Sequence, residues 1–277
     1  LGDRSLAVLT ANPTNDTLDI WVSDGTIAGT QPMAENIDGI PISSRRDMLV
    51  AYQDSVFFVK ESTAAGTELW KASPEEAPQL VRQLHPRPGR AEQLFSDRDG
   101  VMVSITDRRP FPVWVSDGTT DGTILAFYSD RPLSSSLFQL NGQHVFEARI
   151  DGETGLFLTE AAGASKQPRL LTDGTVWRQW LPSEPGGALY DLKLAAAGDT
   201  RGYFVAVNAE FEREVWTTDG TAAGTRLVKD PTPGPEHTFF TSGLVVDGDN
   251  VYFATVNSNG GGVKMWTSDG TESGTYP

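Results

Sequence analysis

The chain contains no cysteine, which excludes disulfides, thiolate zinc sites and a cysteine nucleophile, and says nothing of the compartment. Basic residues are scarce: 22 Lys and Arg stand against 37 Asp and Glu, giving a formal net charge of −15. With no Lys/Arg cluster flanked by aromatics, the phosphate-neutralising attraction that dominates nucleic-acid binding is missing. Nucleic acid and anionic membrane are therefore excluded as expected partners. No apolar run approaches the ~20 residues that span a bilayer. Histidine occurs three times, as His85, His144 and His237, and no HExxH, GxSxG or P-loop pattern is present. The opening "LGDRS" has neither an initiator Met nor a signal-like apolar stretch. It reads as the start of a processed chain or of a piece of something longer.

What is present is a repeat. "WVSDGTIAGT" from 21, "WVSDGTTDGT" from 114, "WTTDGTAAGT" from 216 and "WTSDGTESGT" from 266 are near-copies. Anchored on Trp21, Trp70, Trp114, Trp216 and Trp266, the gaps are 49, 44, 102 and 50 residues. The long gap spans two periods, and Phe157 in "GLFLTEAAGASKQPRLL" marks the degenerate copy inside it. Downstream of it, "RLLTD" (169–173) matches "RLVKD" (226–230) and "QLVRQ" (79–83). Repeats follow at approximately 1–38, 39–86, 87–130, 131–174, 175–231 and 232–277.

Each copy parses into an apolar run, a turn, a strongly β-prone run such as "VFFVK" or "VYFAT", the Trp strand, and a short strand such as "RLVK". Four short strands joined by Gly/Asp/Asn turns, without helical periodicity, make one propeller blade. A solenoid would repeat at a shorter period, and a sandwich would not repeat. The expectation is an all-β fold, a β-propeller of about six four-stranded blades in a single domain over 1–277. Its terminal blade is incomplete or closed by both termini, because the first repeat lacks its first strand and the last stops at "GTYP". In "LDIWVSD", Leu18, Ile20 and Val22 face one way and Trp21 the other, as a strand held between two sheets requires. The five Trp anchors are the expected inter-blade glue.

The repeated turn has a local explanation. The carboxylates of Asp24, Asp117, Asp219 and Asp269 can accept from N–H groups just ahead, Gly supplies positive φ, and the Thr hydroxyls bond across the hairpin. The competing reading is a calcium ion per blade, for which one carboxylate per turn is a thin ligand set. The copies "WKASPEEAPQ" and "FLTEAAGASK" lose Asp-Gly-Thr but keep the aromatic anchor. A fold tolerates that loss; chemistry that needed the acid does not. The expectation is a structural turn, with no cofactor.

With "GTELWKAS" (66–73) and "REVWTTDGTAAGTRLVKDPTPG" (213–234), the repeat resembles the bacterial ELWxxDGT repeat proteins, sometimes labelled hyalin-like. The resemblance covers nearly the whole chain and is weakest in the fourth copy. It implies a propeller-like repeat in an extracellular, periplasmic or outer-surface protein of a Gram-negative bacterium, and it implies no reaction. Asp-box hairpins of sialidases are a more distant likeness whose spacing differs.

In a four-stranded meander the 4→1 and 2→3 loops share one end, opposite the repeated turns. The first set is the variable one, and scaffolds place function on variable loops. The candidate binding residues there are Trp177, Trp180, Arg87, Arg90, Arg108, Arg109 and His237, although Trp177 and Trp180 equally read as a satellite core under their loop. No catalytic residue or metal ligand is assigned. The leading function is a non-catalytic protein–protein interaction or assembly module. A glycan-binding propeller is the alternative, and an enzyme with acids or His at a tunnel mouth is a third.

Overall fold

The computed structural model describes the backbone at residues 6–11, 17–38, 49–88, 90–97, 99–106, 109–133, 138–159, 168–173, 195–207, 213–229, 238–240, 243–257 and 262–277. Trp177, Trp180, Arg108 and His237 lie outside the described residues. Among the described residues there is no helix. The chain divides into two compact units, Leu1–Ser134 with Ala161–Gln167 and Ser135–Glu160 with Pro168–Pro277.

The first unit holds three antiparallel sheets. Sheet 1 is β1 (Leu6–Ala11), β2 (Leu18–Ser23) and β3 (Gln31–Ile37). Sheet 2 is β4 (Leu49–Tyr52), β5 (Ser55–Ser62), β6 (Gly66–Ala72) and β7 (Gln79–His85). Sheet 3 is β8 (Arg90–Asp97), β9 (Gly100–Thr106), β10 (Phe111–Ser116) and β11 (Ile124–Ser129). Strands pair in chain order, so each sheet is a meander. Sheet 1 carries the Trp strand in its middle and corresponds to the second to fourth strands of the repeat.

The second unit repeats the plan. Sheet 4 is β12 (Phe138–Leu140), β13 (Gln143–Ile150), β14 (Glu153–Leu158) and β15 (Arg169–Asp173). Sheet 5 is β16 (Ala195–Ala197), β17 (Gly202–Val207), β18 (Arg213–Thr218) and β19 (Arg226–Lys229). In sheet 6 the first strand is split into β20 (Thr238–Phe240) and β21 (Val245–Asp247), which share one edge of β22 (Asn250–Asn257). On the other edge lies β23 (Val263–Ser268), beyond which a single bridge, Thr267 to Tyr276, begins the fourth strand.

Alternation along the middle strands makes both faces of a sheet apolar. Val56 and Phe58 of β5, with Ala72 and the partly buried Trp70 of β6, pack on Leu18 and Ile20 of sheet 1. Their neighbours Phe57, Val59 and Leu69 pack the other way, on Leu94, Val101 and Val103 of sheet 3, where Trp114 joins. In the second unit Trp216 and Phe204 face Leu140, Leu156 and Leu158 of sheet 4, while Tyr203 and Val215 face Val251, Phe253 and Trp266 of sheet 6. Each of these four Trp side chains thus belongs to the contact with the preceding sheet. Trp21 is partly buried.

Within each unit the first strands converge, β4 running against β8, β12 against β16 and β16 against β21. First strands lying side by side is what successive blades around an axis require. A second regularity lies at the anchor. The register of the third strand on the fourth shifts between Ile20 and Trp21, Leu69 and Trp70, Val113 and Trp114, Leu156 and Phe157, and Val215 and Trp216. A bulge there raises the local twist and turns the last strand. Phe157, opposite Phe146, holds the place that Trp216 holds opposite Phe204.

Candidate functional site

The two ends of each sheet differ in what their polar groups do. At the repeated turn every group of the motif has a partner inside the hairpin. Asp24 Oδ1 accepts from the Thr26 amide at 2.9 Å and from its hydroxyl at 2.7 Å, and Thr26 Oγ1 accepts in turn from the Gly29 amide at 2.9 Å. Thr30 donates to the Thr26 carbonyl at 2.6 Å, its hydroxyl lies 2.7 Å from that of Ser23, and Ser23 Oγ accepts from the Gly25 amide at 3.1 Å. The same set recurs around Asp117, Asp219 and Asp269. The second glycine is obligatory, because a Cβ on Gly29, Gly122, Gly224 or Gly274 would strike the Asp carboxylate.

These bonds tune the acids. The Thr hydroxyl first, then the Thr amide, hold the carboxyls of Asp24 and Asp269 below the ordinary carboxylate value; for Asp219 the Thr221 hydroxyl is again the largest cause. Among the described residues no three acidic or His side chains are grouped so as to hold a metal ion. In the degenerate copy of sheet 2, Ser73 replaces the acid, its hydroxyl accepting from the Glu76 amide at 3.1 Å.

The turn also docks on the sheet before it. Lys71 and Arg82 of sheet 2 donate to the Gly118 and Thr120 carbonyls of sheet 3, at 3.1 and 2.9 Å, and the Thr120 hydroxyl donates back to the Val81 carbonyl at 3.0 Å. In the second unit Arg201 and Lys229 of sheet 5 reach the Asp269 and Thr275 carbonyls, at 3.1 and 2.9 Å.

At the opposite end the loops are irregular. After β7 the chain turns back: the Arg87 amide donates to His85 Nδ1 at 3.3 Å, and the Arg87 carbonyl accepts from the Thr67 hydroxyl at 3.2 Å. Gly66, at φ +81°, permits this approach, since a Cβ there would strike the His85 carbonyl. The loop thus holds Arg87 exposed at the rim of a cavity of about 400 Å³ between sheets 2 and 3, whose walls include Pro110, Pro112, Trp114 and Tyr128. Arg109, also exposed, adjoins it through Pro110. Arg90 opens β8. His144 is away from the loops, buried in β13 with Nε2 3.0 Å from Gln139 Nε2.

Trp114 was expected only as packing, yet it differs from its counterparts. The indole N–H of Trp70 donates to Glu68 at 2.9 Å, that of Trp216 to Glu214 at 3.3 Å, and that of Trp266 to the Thr255 hydroxyl at 2.9 Å. The Trp114 N–H is buried without a partner. Two residues before it stands Pro112, where the second and fifth repeats have Glu. That substitution was visible in the sequence; its meeting with a cavity was not.

No family model matches the chain, and comparison with curated proteins gives no match. Among solved structures, one from a study of two prolyl endopeptidases superposes with a TM-score of 0.51 at 14% identity, covering 99% of this chain and 41% of that one. A puromycin hydrolase gives 0.46 at 11% identity, over 96% of this chain and 44% of its own. A chain of a nidogen/laminin complex gives 0.40 at 11%, over 98% and 92%. The chain thus spans about two fifths of the length of the first two. At this identity the first superposition supports a propeller-like all-β fold and bears on nothing beyond the fold.

Proposed function

We propose that the chain is a non-catalytic β-propeller module, secreted or surface-associated, that binds another protein through the loops opposite its repeated turns. The observation that carries this reading is the division of labour between the two ends. The Asp, Gly and Thr of the repeated motif are engaged in closing the hairpin and docking it on the preceding sheet. Such a turn closes its hairpin in four repeats, docks on the preceding sheet in two of them, and leaves recognition to the irregular end, where Arg87, Arg109 and Tyr128 are exposed. The turn's acids accept from N–H and O–H donors inside the hairpin, which supports a reading without a cofactor.

A photo-crosslinking residue placed at Arg109, and in a second variant at Thr221 of a repeated turn, tests the reading on native cells. Adducts to one protein from position 109 alone, reproduced with that protein purified, are expected. A chain found always alone, or linked only through position 221, overturns it. The exposed aromatic and Arg groups at the same end favour glycan binding as the second reading. Silence across a broad glycan array removes that alternative.

A further inference from the structure

We infer that the cavity between sheets 2 and 3 is a recognition pocket for an acidic side chain of a partner protein, presented on a peptide segment whose neighbouring residues are apolar. The inference rests on the protein-binding reading and names the chemistry of the contact.

The argument starts from the missing acid. In sheets 2 and 5 the anchor Trp satisfies its indole N–H on a Glu two residues earlier, at 2.9 and 3.3 Å. In sheet 3 that position is Pro112, and the Trp114 N–H is buried with nothing to donate to. A buried unpaired donor is costly, so the site gains from an incoming oxygen. Trp114 and Pro112 both line the cavity, so a side chain entering it comes alongside the position that Glu holds in sheets 2 and 5. A carboxylate supplied from outside would complete in sheet 3 the arrangement that sheets 2 and 5 complete from within.

Charge points the same way. The chain carries 37 acidic residues, yet none of the described ones lines this cavity, whose charged wall residue among them is Arg87. Arg109 adjoins it. An anion entering here meets positive groups on a protein that elsewhere repels it.

The rest of the wall selects a peptide. Tyr128 and Leu125 are 49% and 36% exposed, and together with Pro86 and Pro110 they give rigid apolar surface. Such a wall favours apolar side chains over the many hydroxyls of a sugar. Apolar side chains flanking an Asp or Glu bury against it, and the volume of about 400 Å³ lies in the range of ligand sites.

The test uses the whole chain, isotope-labelled, and a blocked peptide, acetyl-Leu-Glu-Phe-Glu-Leu-amide, with the same peptide bearing Gln for Glu as control. The Trp114 indole N–H resonance, assigned by its loss in Trp114→Phe, is expected to move with the Glu peptide and to stay with the Gln peptide. Arg87→Gln weakens binding at least tenfold. Pro112→Glu, which restores the residue of the other repeats and so supplies the oxygen internally, also weakens it at least tenfold. If Pro112→Glu does not fold, the wild-type titration and Arg87→Gln decide alone. An unmoved Trp114 resonance at millimolar peptide, equal binding of the Gln peptide, or oligogalacturonate binding in preference to the peptide overturns the inference. In those cases a partner crosslinked from position 109 still leaves the protein-binding reading standing. Absence of any partner removes that reading separately.

Discussion

The Tyr203 hydroxyl of sheet 5 donates to the Asp249 carbonyl of sheet 6 at 2.5 Å. The Tyr203 side chain is buried, and the bond is made at the partly buried edge where it meets Asp249. Around it the Thr200 amide and hydroxyl donate to the Asp249 carboxylate, at 2.7 and 2.5 Å. Two adjacent sheets are thereby pinned at the end that carries the repeated turns. Burial pushes the Tyr203 phenol up to about 12.

Replacing Tyr203 with Phe removes the donor and leaves a carbonyl short of its partner, a loss of about 1–2 kcal/mol by urea denaturation. The pH dependence has a definite sign. The unfolded chain gives up this proton from about pH 10, whereas the folded one retains it to about 12. The associated stability is therefore complete below pH 10 and disappears as pH rises through 12. Tyr203→Phe should flatten that alkaline decline; an unchanged slope would remove the phenol from the account.

A pair of glycines separates backbone strain from packing. Gly25 and Gly118 hold the same place in two repeats, at φ +89° and +90°, so alanine is strained equally at both. At Gly25 an added Cβ meets nothing within 4 Å, whereas at Gly118 it comes 3.1 Å from Cζ of Phe57 in the preceding sheet. Gly25→Ala is expected to cost about 1 kcal/mol, and Gly118→Ala clearly more, read as the difference between two thermal transitions. Equal costs would show that the turn does not press on sheet 2.

Much of this was legible beforehand, for identifiable reasons. The Trp anchors and the β-prone runs before them recur from repeat to repeat because each must fill the contact with a preceding sheet, as Trp70 and Trp216 do. The hairpin was legible because Asp, Gly and Thr satisfy one another within a few residues, without help from the fold. The bulge before each anchor escaped notice, since it is a property of pairing and leaves no residue signature at Leu69 or Val215. So did β20, because three residues show no period. The cavity beside Trp114 joins two sheets, and no local pattern announces where Pro86 meets Tyr128.

Acid should loosen the repeated turns. The carboxyls of Asp24, Asp219 and Asp269 are held below the ordinary value chiefly by the Thr hydroxyl that each accepts from. Their contribution is present above the unfolded value near 3.8 and is lost as pH falls through the lowered folded values. Because Asp219 is exposed and its charge screened by solvent, Asp219→Ala is expected to cost about 0.5–1 kcal/mol at neutral pH, with the gap to the parent chain narrowing toward pH 3 as the parent loses the same interaction. A gap that stays constant down to that pH would mean that the side chain acts there without its charge.

The last expectation concerns what the anchor contributes. Trp216 stacks on Phe204 with ring centres 6.3 Å apart and planes 25° apart, and donates its indole N–H to Glu214. In sheet 4 Phe157 stacks on Phe146 in the same register, at 6.2 Å and 26°, so the fold already accepts a phenyl ring at this position. The aromatic face, rather than the N–H, should carry most of the contact with Leu140 and Leu158 of the preceding sheet. Trp216→Phe is then expected to cost about 1–2 kcal/mol, for the lost bond and the smaller ring. Trp216→Ala, which opens a void between two sheets, should cost about 3–5 kcal/mol. Denaturant titrations of both variants measure the two losses side by side. Equal losses would assign the effect to the N–H bond, and a small loss for alanine would contradict the anchoring role on which the repeat depends.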